Sequence, residues 1–174
     1  MSSKSSFRTA FIAAAFAAPF VLAAPAAFAV DKPVDFVTKA GEAGLFEIKT
    51  SKLALQRSQN PEIREFAKHM IHDHEAAATE LKHVAFKDHI RVPAALDHDL
   101  KGKYNDLAKK GDDFDKKYVH LQVDAHNDAV NLFTDYSQNG EDARLKDFAA
   151  KTLPTLQMHQ TDIKGLHDKM HLVP

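Results

Sequence analysis

A chain of 174 residues with no cysteine, 11 histidines and a formal charge of −1 has no disulfide or thiolate chemistry, so packing must stabilise it. Its charge offers no footing for nucleic acid or an anionic membrane surface, both of which reward concentrated positive charge. The histidine count directs attention to metal ligation or proton sensing.

The first 29 residues read as an export leader. Lys4 and Arg8 precede the apolar run from Phe11 to Ala24, and Ala27-Phe28-Ala29 has the small-x-small pattern of a cleavage site. Cleavage after Ala29 predicts a mature domain of residues 30–174 that is periplasmic or secreted. Pro19 and Pro25 interrupt a run shorter than the roughly 20 continuous apolar residues of a membrane span. No later segment is long and apolar enough, so no stable membrane insertion of the mature chain is expected. Loss of Lys4 and Arg8 makes the formal charge of −1 two units more negative.

Beyond the leader, apolar residues recur at helical spacing and no strand alternation is found. Asp31-Lys32-Pro33 opens a first helix, about 33–58, whose stripe reads Phe36, Ala40, Ala43, Glu47, Ser51, Ala54 and Leu55. Asn60 is a good N-cap and Pro61 fits the first position of a second helix, about 61–86. That helix turns Ile63, Phe66, Met70, His74, Ala77, Leu81 and Val84 to one side. After Pro93 a short helix, about 94–110, runs through Leu96, Leu100, Tyr104 and Leu107, with Gly111 as its C-cap. Asp112 caps a third long helix, about 112–138, with Phe114, Tyr118, Leu121, Ala125, Ala129, Leu132 and Tyr136 inward. Asn139-Gly140 turns the chain into a fourth, about 142–169, with Leu145, Ala149, Leu153, Leu156, His159, Ile163 and Leu166 inward.

Helices joined by turns of a few residues are antiparallel neighbours. Two such hairpins bridged by a crossover of about twenty-five residues predict an all-α, ferritin-like antiparallel four-helix bundle with a short extra helix in the crossover. Ile63-Arg64-Glu65-Phe66-Ala67 also echoes Leu145-Lys146-Asp147-Phe148-Ala149.

Each long helix carries one metal-capable side chain at its apolar face: Glu47, His74, His126 and His159. A carboxylate or imidazole in such a stripe must be paired, protonated or bound to something. Glu47 and His74 are expected to face each other. His126 falls at the flank of its stripe, and counting residues from the turn sets it roughly 9 Å out of level with His159. A kink at Pro154 is one way to change that register. Three imidazoles and one carboxylate suit zinc, iron, copper or nickel, and Asp73 and Asp115 are candidates for orienting an imidazole from behind. The competing reading is a metal-free Glu47–His74 pair with packed histidines. His69, His72, His83, His89, His98, His120, His167 and His171 read as surface residues, as does the outward Glu80-x-x-His83.

The phrases Phe66-Ala67-x-x-Met70-x-x-Asp73-His74, Phe114-Asp115-x-x-Tyr118 followed by His126, and Leu153-Pro154-x-Leu156-x-x-His159 resemble an exported bacterial family. It is catalogued as domain of unknown function 4142 and often labelled "predicted outer membrane protein". The likeness runs from about Phe36 to Leu166. It implies a ferritin-like bundle and matches Glu47, His74, His126 and His159 to recurrent family positions, without an assigned activity. The chain lacks an inward Glu-x-x-His on two helices, the di-iron pattern of ferritins.

The leading expectation is an exported bundle that holds a transition metal ion between its helices, in metal handling or envelope stress, with catalytic activity left open. The alternatives are a metal-free periplasmic module that binds an envelope protein or forms a homodimer, a metal-dependent redox enzyme, and a pH sensor.

Overall fold

The computed structural model describes residues 31–109, 111 and 113–172, with side chains as far as 170. The leader, its cleavage point, the cap expected of Asp112 and the side chain of His171 lie outside the described residues. Pro33 occupies the first position of α1 (Pro33–Arg57), where a missing N–H costs nothing. The helix stops at Ser58, whose backbone N–H still reaches Ala54 O. Asn60 then caps α2 (Pro61–Lys87), its Oδ1 accepting from the N–H groups of Glu62 at 2.9 Å and Ile63 at 3.4 Å. Asn60→Ala leaves both donors to water and is expected to cost about 1 kcal/mol, read as a fall of a few degrees in the melting temperature.

The crossover contains α3 (His98–Ala108), whose N-cap Asp97 accepts from Leu100 N at 2.7 Å. That cap starts the helix four residues later than its apolar pattern predicts. Leu96 therefore precedes the helix, and the C-cap is Lys109 rather than Gly111. After α4 (Phe114–Asn139) the chain turns at Gly140, where a Cβ would lie 2.6 Å from the Tyr136 ring. Glycine is needed there for space, not for an unusual φ. Asp142 Oδ1 accepts from the N–H groups of Arg144 and Leu145, both at 2.9 Å, and opens α5 (Ala143–Leu172). This helix runs through Pro154.

The architecture is all-α: α1 pairs with α2, α4 with α5, and α2·α5 and α1·α4 close the bundle, with α3 laid against α1 and α4. Every neighbouring pair of long helices is antiparallel. No described helix is long and apolar enough to cross a membrane.

The core falls into two apolar layers. At one end Phe36, Leu81, Phe133, Tyr136, Leu145 and Phe148 pack together, with Phe36 stacked on Tyr136 at 3.9 Å between ring centroids. At the other end are Ile63, Phe66, Met70, Leu107, Tyr118 and Ile163. Each long helix crosses from one layer to the other through its polar residue.

One helix is rotated relative to its sequence pattern. In α4 the buried residues are Phe114, Tyr118, Val119, Gln122, His126, Ala129, Phe133 and Tyr136. Leu121, Ala125 and Leu132 are only half-buried. They line a groove beside α1 and α3, together with Leu100. A second apolar face, created by the crossover helix, therefore pulled the predicted stripe off its true centre. His126 stands at that centre, not at the flank.

Candidate metal centre

Glu47, His74, His126 and His159 are 1, 5, 0 and 1 % exposed, so the four form one buried polar layer between the apolar ends. The three imidazoles meet. Their ring centroids are 5.9 Å apart for His74 and His126, 5.5 Å for His74 and His159, and 5.6 Å for His126 and His159. One potential ligand atom on each ring lies within 4.8 Å of those on the other two.

The 9 Å mismatch expected between His126 and His159 does not arise. Residues 140–142 form the turn, so His126 lies thirteen residues before the end of α4 and His159 sixteen after the start of α5. Cα levels, moreover, are not side-chain levels. Every Cα–Cβ bond tilts towards the N-terminus of its own helix. His126 therefore leans away from the α4–α5 turn and His159 leans towards it. In antiparallel partners these tilts add, and they bring the rings to one height.

Each imidazole is held by one nitrogen and leaves the other free. His126 Nδ1 lies 2.9 Å from Gln122 O, and His159 Nε2 lies 2.9 Å from Asp73 Oδ2. A carbonyl and a carboxylate oxygen accept, so both ring nitrogens donate N–H. His74 Nδ1 faces Glu47 Oε2 at 3.2 Å. The remaining nitrogens, His74 Nε2, His126 Nε2 and His159 Nδ1, are buried without a hydrogen-bond partner, as is Glu47 Oε1. Glu47 Oε1 does lie 3.5 Å from His126 Nδ1, but that N–H is directed to Gln122 O.

Burial dominates the electrostatics. It pushes the Glu47 carboxyl up to about 8. Desolvation first, and then its imidazole neighbours, hold His74 well below the ordinary histidine value. Burial brings His126 down to about 4, against the raising effect of its bond to Gln122 O. His159 is lowered too, burial outweighing the opposing pull of Asp73. The short Glu47–His74 contact is therefore a neutral pair at pH 7, despite having the spacing of an ion pair. A neutral imidazole tethered through one N–H presents a lone pair on the other nitrogen, the form in which histidine ligates metals. The free carboxyl oxygen is a further donor once its proton leaves.

Asp73 is the one of the two expected orienting carboxylates that reaches a ring. Asp115 does not: it stands in the first turn of α4, eleven residues before His126 and hence about 16 Å along the axis. The phrase containing Asp115 suggested proximity that helix length forbids. Two further polar residues of this region, Thr50 and Gln122, were not singled out in the sequence. Gln122 Nε2 donates to Thr50 Oγ1 at 2.9 Å, Thr50 Oγ1 to Phe46 O at 2.9 Å, and Ser51 Oγ shares a 2.9 Å hydrogen bond with Tyr118 OH. Gln122 is four residues before His126, which is the signal that would have found it on a correctly phased wheel.

The sequence matches the family described as "Domain of unknown function (DUF4142)" over residues 19–166. No curated protein matches it. Among solved structures, "CopM in the Cu(II)-bound form" is similar at a TM-score of 0.69 and 18 % identity, over 82 % of this chain and 99 % of that one. "CopM in the Ag-bound form (by co-crystallization)" gives 0.64 and 21 %, over 78 % and 95 %. A DUF305 fragment from Deinococcus radiodurans gives 0.69 and 12 %, over 81 % and 99 %. At these identities the likeness is one of fold.

Proposed function

Because the chain belongs to the DUF4142 family, whose description supplies no activity, we propose a function from its buried layer: it binds one transition metal ion between its helices, for metal handling in the cell envelope. The observation that carries this reading is the set of three imidazoles, each tethered through one nitrogen with the other buried and unpartnered. An unsatisfied buried polar group costs about 1–3 kcal/mol, so the metal-free layer is several kcal/mol less favourable than a satisfied one. A bound cation removes that cost. Ligand nitrogens about 2.1 Å from a tetrahedral ion are roughly 3.4 Å apart, so the present 4.8 Å limit requires side-chain movements of under about 1 Å.

His74, His126 and His159 would be the ligands, with Glu47 joining as a carboxylate and Asp73 orienting His159. Zinc, iron, copper and nickel all suit this donor set. The CopM structures, named for bound copper or silver, add weight to copper. The expected leader at residues 1–29 supports a periplasmic or secreted setting.

Elemental analysis of protein purified from its native compartment is expected to find about one ion per chain. Wild-type protein that retains no metal through desalting, and gives no binding signal with copper, zinc, nickel or ferrous iron, would sink the reading. Protons supply an independent check. With Glu47 raised to about 8, it carries its proton at pH 7 while the histidines do not. Metal binding should release about one proton per ion, and affinity should rise roughly tenfold per pH unit between about pH 5 and 8. Calorimetry in buffers of different ionisation enthalpy measures the release. In Glu47→Gln the release should vanish; an unchanged value would remove Glu47 from the ligand set.

A further inference from the structure

The polar layer is sealed on one side and bordered on the other by a cavity that Glu47 and His74 reach and His126 and His159 do not. One turn away towards the layer of Ile63, Phe66 and Tyr118, the same four helices contribute Ser51, Met70, Gln122 and Ile163, all 0 % exposed. Phe66 closes this side, its ring centroid 6.3 Å from that of His126 and 6.2 Å from that of His159. One turn away in the other direction the helices contribute Gly44, Ala78, Ala129 and Leu156. Three of these four are glycine or alanine, and the space they leave is a cavity of about 240 Å³.

Glu47 and His74 form part of its wall. The cavity opens along the seam between α1 and α2, beneath the crossover segment Val92-Pro93. That segment lies close because position 41 is glycine: a Cβ there would meet Val92 Cγ1 at 2.8 Å. Protein interiors are otherwise packed to the density of organic crystals. An apolar void of about 150 Å³ is enough to hold benzene. A larger one, placed one turn from three unpartnered nitrogens, calls for an occupant.

We propose that this cavity receives a small exogenous lone-pair donor, between azide and imidazole in size, which completes the coordination of the bound ion. The inference rests on the metal reading above and deepens it. Three histidines converge, while Glu47 stands beside His74 and His126 outside the three-way set. A position that the guest can take as a fifth ligand, beside the three imidazoles and Glu47, marks an exchangeable metal site, in contrast to closed four-ligand structural sites. The small residues define the size of the guest. The apolar walls favour a compact molecule with one coordinating atom over a chelator with several charged groups.

Protein loaded with Cu(II), its stoichiometry measured first, is titrated with azide, and the azide-to-copper charge-transfer band and the electron paramagnetic resonance spectrum are followed. Wild type is expected to bind azide saturably. Ala78→Leu fills the cavity from α2 and should weaken azide at least tenfold with copper stoichiometry unchanged. Ala129→Leu fills it independently from α4 and should do the same, which covers the case of one variant folding poorly. Ala76→Leu, on the exposed face of α2, should bind azide like wild type. A copper-loaded wild type with no azide band overturns the proposal, as do filled variants that bind azide as tightly as wild type. Failure to load copper, seen before azide is added, instead overturns the metal reading and this inference with it.

Discussion

Replacing Glu47 and His74 together by leucine should weaken transition-metal binding on the order of 10⁴-fold while leaving the metal-free protein as stable as wild type or more so. The first half follows from the strength of structural metal sites, about 10–16 kcal/mol shared among four ligands, or about 3 kcal/mol for each ligand lost. The second half follows from burial. Glu47 Oε1 and His74 Nε2 are unpartnered and the two side chains face each other, so leucine at both positions fills a similar volume and orphans neither member of the pair. Replacing buried polar groups by apolar residues of like size is often neutral or stabilising. Metal titration and chemical denaturation in the presence of a chelator measure the two halves. A metal-free packing module makes the opposite forecast: the melting temperature changes and metal content does not. Opposite movement of affinity and metal-free stability would be difficult to explain without a site evolved to bind.

The metal-free protein should be most stable near pH 6.5, losing about 2 kcal/mol by pH 8 and losing stability on the acid side as well. Glu47 is raised from 4.5 to about 8, so between those values the folded state holds a proton that the unfolded state has released. Its contribution is present in full below about 4.5 and is lost as pH rises through 8. Each unit is worth about 1.4 kcal/mol, so the step from pH 6.5 to 8 costs about 2 kcal/mol. The histidines act in the other direction. His74 is held well below 6.5 and His126 near 4, so their contribution is present above 6.5 and is lost as pH falls towards their folded values. Between 6.5 and 4.5 the gain from Glu47 offsets one histidine. The uncompensated remainder is carried by His74 with help from His159, so stability falls as pH drops below 6.5. Melting temperatures measured against pH with chelator present test both limbs. Glu47→Gln should flatten the alkaline limb and leave the acid one. A variant with the wild-type alkaline limb would show that the carboxyl is not the responsible group.

Much of the fold was legible because its signals are local. Asn60-Pro61 and Asn139-Gly140 mark the two hairpin turns, and turns that short leave the helices only antiparallel packing. The absence of cysteine and the helical recurrence of Phe, Leu and Ala similarly limited the chain to an apolar-cored bundle. Misreadings arose where a residue answers to two neighbours. Leu121, Ala125 and Leu132 are apolar because α3 and α1 lie across them, and including them rotated the predicted face of α4 away from His126 and Gln122. The short helix began late because Asp97, not the apolar pattern, supplies its first hydrogen bond.

The sequence by itself determined which helices form, how they pair, and that each brings one metal-capable residue to its apolar side. These follow from 3.6-residue periodicity and cap chemistry, which depend on neighbours a few positions apart. Only the tertiary structure decided that the three imidazoles meet, which nitrogen of each is free, and that a void lies to one side of them. Convergence depends on the opposed tilt of side chains in antiparallel helices. The free nitrogens are set by acceptors as remote as Asp73 is from His159, and the void by four small or apolar residues from four helices. No local pattern records distances of that kind.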